Sequence, residues 1–374
     1  MKTIPSADAV IVGGGLIGLA CAAALARDGA SAIVLDDSRA GAASPAAAGM
    51  LAPSIDRAEG PGNDFAVAAR DRYPAFTQWL EETTGVHVPL NASGILQVAV
   101  SEAGVRGLRR AMMRNADSAA EWLDASSLHD LEPALPHALG AVFHPFDGAV
   151  DNVALLSALA LFCRSSPSLT IVDTAAVAVA ADGAGVAVRA SDGRAYRGRH
   201  VVIAAGAWAS CIGGLPRSIP VSPLRGQMLS YVGGRLRHVV FGPRGYIVPR
   251  PEGSSASGRD GETLVGATRE RVGFDAATTT AAAASLRLAG SEILPALSRL
   301  SPVRHWAGLR PMTPDLLPII GPDPDCPSLL YACGHSRNGI LLAPLTADCL
   351  SALVRGEPAP HDLLPFSIQR FSPR

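Results

Sequence analysis

Gly13, Gly15 and Gly18 stand at the spacing Gly-x-Gly-x-x-Gly, directly after the apolar run Ala9-Val10-Ile11-Val12. Residues of this type at this spacing suit the pyrophosphate of a dinucleotide. The first glycine makes a tight turn, the second lets the backbone approach the phosphates, and the third lets a helix pack on a strand. The anion would rest on the N-terminus of a helix from Leu16 to Arg27, where unpaired N–H groups and the helix dipole favour negative charge. A second apolar run, Ala32-Ile33-Val34-Leu35, ends on Asp36, whose carboxylate would accept hydrogen bonds from an adenosine ribose. A lone glycine motif can be no more than a turn. Strand, glycines, helix, strand and acid in one order make the nucleotide reading the stronger.

Arg310 is the second candidate. It sits in Gly-Leu-Arg-Pro with no acid close before Asp315. A buried guanidinium needs a partner, and a substrate carboxylate would supply one as a bidentate pair. An ion pair with a distant acid is the alternative. The small-residue loop Gly334–Gly339 leads into an apolar helix from about Asn338 to Leu353, whose dipole could stabilise an anion. A plain turn would explain the glycines alone. No nucleophile–base pair stands out. None of the nine histidines is an obvious catalyst, and His335 reads as a packing residue.

These groups need a large scaffold. The 374 residues are too many for one ordinary core, so two domains are expected. Apolar content of 48% with 17% charge supports a packed interior, and a net charge of −1 offers no attraction for nucleic acid or an anionic membrane. Six scattered cysteines form no zinc pattern and fit a reducing compartment. The first residues do not read as a signal peptide, and no apolar run is long enough for a membrane span, so the expected location is cytoplasmic.

Coarse patterning places helices at Asp64–Glu82, Ala103–Ala116, Val153–Arg164 and Thr278–Leu294. Strands are expected at Ile95–Val100, Pro223–Tyr231, Gly245–Arg250, Thr263–Thr268 and His200–Trp208, the last ending in a small-residue turn. Thr170–Asp173, Val177–Ala181 and Val186–Ala190 read as three strands at hairpin spacing, and Pro251–Gly261 as a hairpin tip. Ala46–Leu51 suits a helix start, and the stripe Arg106, Arg109, Arg110 and Arg114 reads as a solvated face.

The segments Trp306–Asp315, Pro318–Gly321 and Tyr331–Pro344, with Ala46–Leu51, Tyr246–Arg250 and Val265–Thr268, carry a family resemblance. From Asp8 to about Leu353 the chain resembles the D-amino-acid-oxidase-like flavoenzymes, and among them the glycine oxidases of the ThiO type. Those enzymes make the glycine imine used in thiamin thiazole synthesis. The resemblance implies an α/β fold, with a Rossmann-type FAD-binding domain and a mixed-sheet substrate-binding domain. The implied division is residues 1–88, 151–217 and 306–374 for FAD, with 89–150 and 218–305 for substrate. FAD is expected to be non-covalent, because Gly308 stands where monomeric sarcosine oxidases carry the cysteine that attaches it.

By the same resemblance, Arg310 and the Tyr246 hydroxyl hold the substrate carboxylate, and Arg337 lies near the flavin. Implied cofactor contacts are Gly13, Gly15, Leu16, Ile17, Gly18, Asp36, Asp37 and Ser44, then Ala48, Gly49 and Met50. Val177, Ala205, Gly206 and Trp208 follow, and Arg310 with the run His335, Ser336, Arg337, Asn338, Gly339, Ile340 and Leu341 completes the set. Arg269 stands where sarcosine oxidases place a lysine that helps oxygen react, and a solvent-facing charge is the alternative. Arg244 would share a strand face with Tyr246 if the strand is regular.

The implied reaction is oxidation of a small amino acid, glycine first, to its imine, with dioxygen reduced to peroxide. The imine would hydrolyse to the 2-oxo acid or pass to a thiazole synthase. No metal, nucleic acid or membrane partner is expected, and a homo-oligomer is open. A D-amino-acid or sarcosine-type oxidase, or a dehydrogenase feeding a quinone, is one alternative; the quinone-linked form would need a membrane-facing surface. A tRNA-modifying flavoprotein is another and would need a basic domain.

Overall fold

The computed structural model describes residues 6–55, 60–113, 119–182, 185–250 and 261–371. Two eight-stranded sheets and a small three-stranded sheet organise them. In the first sheet Ser6–Val12 lies between two parallel neighbours, Ala32–Asp36 and Ala195–Ile203. Val10, Ile11, Val34, Val201 and Val202 are wholly buried, which is why these strands read as continuous apolar runs. The strand Ala195–Ile203 branches. Its first half carries the antiparallel Gly185–Ala190, and its last residues pair in parallel with Leu329–Cys333.

One expectation is corrected here. Leu169–Asp173 forms no hairpin with Ala176–Asp182. It pairs in parallel with Ala32–Asp36 at the opposite edge of the sheet. Only Ala176–Asp182 and Gly185–Ala190 make the expected antiparallel pair. Sequence spacing alone cannot tell an adjacent strand from one that starts a crossing to the far edge.

The helix Leu16–Arg27 packs against both Asn152–Ser165 and Gly339–Val354. Its Ala20-Cys21-Ala22-Ala23-Ala24 run is buried, and side chains this small let three helices approach closely. Asp151 caps the second of these helices by accepting from the N–H groups of Val153 and Ala154 at 2.9 and 3.0 Å. Among the described residues no helix is long and apolar enough to cross a membrane.

The second sheet runs, in spatial order, Arg304–Met312, Ser222–Val232, Glu262–Gly266, Tyr246–Pro249, Val239–Phe241, Ile95–Ala99, Gly140–His144 and Glu121–Asp124. It is antiparallel except where Val239–Phe241 meets Ile95–Ala99. Arg304–Met312 therefore belongs to this sheet, although the sequence division counts residues from 306 with the nucleotide part. Leu229, Tyr231, Ile247 and Val265 face the helix Thr280–Ile293. Alternation then turns Met228, Tyr246 and Leu264 to the opposite face.

Three local readings change. The span 64–82 is two helices, Pro61–Arg70 and Tyr73–Thr84, with Pro74 in the first turn of the second, where its missing N–H costs nothing. Ala46–Leu51 does not start a helix. The helix Ala43–Ala46 ends there, and Met50–Leu51 pairs with Gly148–Val150. The arginine helix spans Glu102–Met112, with Arg106, Arg109 and Arg110 exposed and Arg109 4.6 Å over the Trp122 ring. Arg114 and the tip 251–260 lie outside the described residues.

Candidate active site

A cavity of about 1640 Å³ lies between the C-terminal ends of the parallel strands and the second sheet, and reaches the helix Thr280–Ile293 at Ser285 and Ala289. At one end Gly13 adopts φ +107°, and a Cβ on Gly18 would lie 1.9 Å from the Gly13 carbonyl oxygen. Gly18 is thus the packing glycine and does not line the cavity, whereas Gly13, Gly15, Leu16 and Ile17 do. The Leu16 N–H, first of the helix, donates to Ser44 Oγ at 2.9 Å. Asp36 faces the cavity and accepts from the Gly14 N–H at 3.1 Å.

Asp37 pairs with Arg39 at 2.5 Å, and Arg39 lies 5.5 Å over the ring of Trp208. Trp208 stacks on Phe274 from the second sheet's side. Asp37, Arg39 and Trp208 form a cavity wall with Ala205 and Gly206. Val177 and Leu341 do not line it. Val177 is exposed, and Ala175 and Ala176 take its place, while Leu341 is buried on the packed side of its helix. Asp36→Ala is expected to weaken FAD binding by about 1.5–3 kcal/mol before relaxation. Titration of apoprotein with FAD checks this, and an unchanged Kd would remove Asp36 from the ribose.

The wall Ala46–Met50 is held from the second sheet. Buried Arg250 donates to the carbonyls of Ala48 at 2.9 Å and Val150 at 3.1 Å and to Asn152 Oδ1 at 2.9 Å. Trp306 Nε1 donates to the Ala46 carbonyl at 3.0 Å. Gly49, at φ +79°, admits no side chain, because its Cβ would meet the Val150 carbonyl at 1.9 Å.

The floor beyond this wall is made of glycines. Gly226 and Gly266 sit on adjacent strands between those of Arg310 and Tyr246. A Cβ on Gly226 would strike the Arg310 guanidinium at 2.4 Å, and one on Gly266 would strike the Tyr246 hydroxyl at 2.5 Å. The two side chains therefore lie down over the sheet and converge. Arg310 donates to the Thr268 carbonyl at 2.9 Å. Burial lowers its pKa, with Arg269 and Arg337 pushing the same way, while Tyr246 opposes the fall. Burial raises the pKa of Tyr246, so its phenol stays protonated and able to donate. This cationic corner favours an incoming anion.

Arg269 and Arg244 both line the cavity. Arg244 precedes the strand Tyr246–Pro249 and pairs with Glu292 at 2.8 Å, so its charge is spent on the protein.

At the far side, the loop 334–338 feeds the helix Gly339–Val354. Gly334 has φ +69° and Ser336 φ +54°, a left-handed pair that turns the helix N-terminus toward the cavity. His335, buried and 3.2 Å from Thr346 Oγ1, has its pKa pushed down by burial to about 3. It is neutral at physiological pH and adds no positive charge to the site.

Sequence reasoning missed Arg250, Gly226 and Gly266. The two glycines interrupt strand patterns, and that is a signal of close approach. Arg250 bore none, since nothing in Tyr-Ile-Val-Pro-Arg shows that its partners are carbonyls of Ala48 and Val150.

The cavity, with a glycine turn and helix N-terminus at one end and an arginine–tyrosine corner at the other, defines a flavin-type oxidoreductase. Residues 8–353 match the FAD dependent oxidoreductase (DAO) family, and the chain belongs to it. It is an FAD-dependent enzyme of that family with glycine oxidases among its relatives. The glycine oxidase of Geobacillus kaustophilus is 33% identical over 373 residues, 97% of each chain. The crystal structure of glycine oxidase from that organism superposes with a TM-score of 0.89 at 31% identity, covering 99% of this chain and 100% of that one. The bifunctional protein ThiO/ThiG of Synechocystis sp. is 35% identical over 377 residues, 98% of this chain and 54% of that protein. The chain thus spans about half the length of such curated relatives.

Proposed function

We propose that the protein oxidises glycine and other small amino acids to the imine, with dioxygen reduced to peroxide. The observation that carries this is the convergence of Arg310 and Tyr246 over the Gly226–Gly266 floor of the cavity. Arg310 offers a planar fork for a carboxylate, and Tyr246 adds one neutral donor. A small amino acid offers its carboxylate and amine as the handles.

The chain fits FAD. Gly13, Gly15 and the N-terminus of Leu16–Arg27 would hold the pyrophosphate, Asp36 the ribose, and Ala48–Met50 with the helix N-terminus at Gly339 the isoalloxazine. Bound there, FAD supplies hydride acceptance from the substrate Cα and two-electron delivery to dioxygen. The residues supply position. Arg310 and Tyr246 fix the carboxylate, which aims the Cα–H bond, and the helix dipole at Gly339 favours negative charge beside it. Arg337, on the cavity loop, is read as a third member of this corner.

The proposed division remains 1–88, 151–217 and 306–374 for FAD, with 89–150 and 218–305 for substrate, the strand Arg304–Met312 serving both. The proposed setting is the cytoplasm, in keeping with six unpaired cysteines. The ThiO/ThiG name of a relative supports hand-off of the imine to a thiazole synthase.

The test is an amino-acid panel read by peroxide release and by anaerobic flavin bleaching. Glycine is expected to bleach the flavin and yield peroxide. Bleaching without peroxide would reassign the electron acceptor, and no bleaching by any amino acid would end the reading. FAD is expected to leave intact on acid precipitation. Gly308 leaves no room for an attaching side chain, because a Cβ there would lie 2.5 Å from Ala46 Cβ. Flavin retained by the denatured chain would refute this.

A further inference from the structure

Beside the cavity lies a polar network in which Arg225 and Gln227 are buried behind the face that carries Arg310, while Thr268 and Glu270 are half-buried at the cavity wall. Glu270 Oε1 accepts from the Thr268 hydroxyl and from Gln227 Nε2, the latter at 2.8 Å. Its Oε2 accepts from Arg225 at 2.6 Å, and Arg225 donates to Asp275 at 2.7 Å. Gln227 Oε1 in turn accepts from the Thr279 N–H at 2.8 Å and faces His305 Nε2 at 3.0 Å. The Gln227 N–H donates to Thr268 Oγ1 at 2.8 Å. Thr268 is thus held at its hydroxyl in both hydrogen-bonding senses. It stands just past the strand Glu262–Gly266, where its N–H donates to the Gln227 carbonyl at 3.2 Å and Glu270 bridges the backbone of Arg225.

The same residue carries the carbonyl that receives Arg310, at 2.9 Å. Arg310 is thus held on one side by the Thr268 carbonyl and on the other by the Tyr246 hydroxyl. We propose that Glu270, acting through Thr268, is the positioning residue that aims the Arg310 guanidinium at the substrate carboxylate. This rests on the reading of Arg310 as carboxylate anchor.

The charge arithmetic supports it. Arg225 is 4% exposed, and its two carboxylates, Glu270 and Asp275, hold it in place. Thr268, Arg225 and Gln227 all keep Glu270 ionised against the cost of its burial. An ionised acceptor holds the Thr268 hydroxyl more tightly than a neutral one. A purely structural role would need only the Arg225 pair. The hydroxyl latch adds nothing to that pair, yet it fixes the backbone carbonyl on the cavity side.

The test uses holoenzyme and acetate, a carboxylate with no oxidisable amine, titrated by its effect on the flavin spectrum. Thr268→Val removes the latch at nearly constant volume and leaves the Arg225–Glu270 pair. It is expected to weaken acetate binding and raise the KM for glycine by about 10-fold, with FAD content and Tm near wild type. Thr268→Ser is expected to restore both values. Glu270→Gln is expected to act in the same direction as Thr268→Val, and if it fails to hold FAD then Thr268→Val alone carries the test. Wild-type acetate affinity in Thr268→Val, beside an Arg310→Ala variant that has lost it, would overturn the positioning role. Thr268→Ser as impaired as Thr268→Val would overturn it too. Wild-type affinity in Arg310→Ala would overturn the anchor reading itself.

Discussion

Arg310→Ala is expected to lower kcat/KM for glycine by about 30-fold to several thousand-fold, with FAD content near wild type. Glycine offers only two groups to hold. If the carboxylate is loose, the Cα–H bond is no longer aimed. Losing one desolvated charge-assisted pair costs about 2–5 kcal/mol, and the loss should fall on flavin reduction at saturating glycine as well as on KM. Lysine is expected to rescue poorly. Arg310 lies flat over Gly226, and its fork is what the floor is shaped for. Tyr246→Phe removes one neutral donor and should cost about 1 kcal/mol. Rapid-mixing reduction separates binding from chemistry. A variant Arg310→Ala with unchanged affinity and reduction rate would send the search toward amines without a carboxylate.

Gly18→Val is expected to yield protein without FAD. A Cβ there would sit 1.9 Å from the Gly13 carbonyl oxygen. The obstacle is backbone, so it cannot swing aside as a side chain would. Either the helix Leu16–Arg27 lifts from the strand Ser6–Val12 or the glycine turn deforms, and both take the helix N-terminus away from the phosphates. Overpacking costs about 1–3 kcal/mol where neighbours can yield, and here they cannot. Gly29→Ala is the control. Gly29 has φ +86° but nothing within 4 Å of its Cβ position. It should lose roughly 1 kcal/mol of stability through backbone strain and keep its flavin. Absorbance near the flavin band after purification reads both, and a yellow Gly18→Val would show that the close approach is dispensable.

The nucleotide end was legible because its logic is local. Glycines, helix and acid lie within one βαβ unit, and each is specified by neighbours a few residues away. The substrate end was not legible from spacing. Arg310 and Tyr246 meet only because two strands between them carry Gly226 and Gly266, and strand order is a global property. The same cause misplaced Leu169–Asp173, whose partner lies across the sheet. The partner of Arg244 was equally hidden, because a positive charge beside Tyr246 says nothing of Glu292, which comes from the helix Thr280–Ile293. Val177 was placed by likeness, and the exposed position it occupies shows how a single-residue offset along a strand changes what reaches a cavity.

The packing of Leu16–Arg27 against Gly339–Val354 has a consequence for synthesis. The helix Leu16–Arg27, with its alanines and leucines ready for burial, is made more than 300 residues before its partner. At about 5–20 residues per second the nascent chain waits some tens of seconds for that partner. Throughout that interval the most apolar helix pair of the protein is half made. The second sheet, whose strands lie mostly between residues 95 and 312, can meanwhile close on itself. The protein should therefore acquire its flavin only once Gly339–Val354 has emerged, and the waiting helix is the segment for which a holdase would compete.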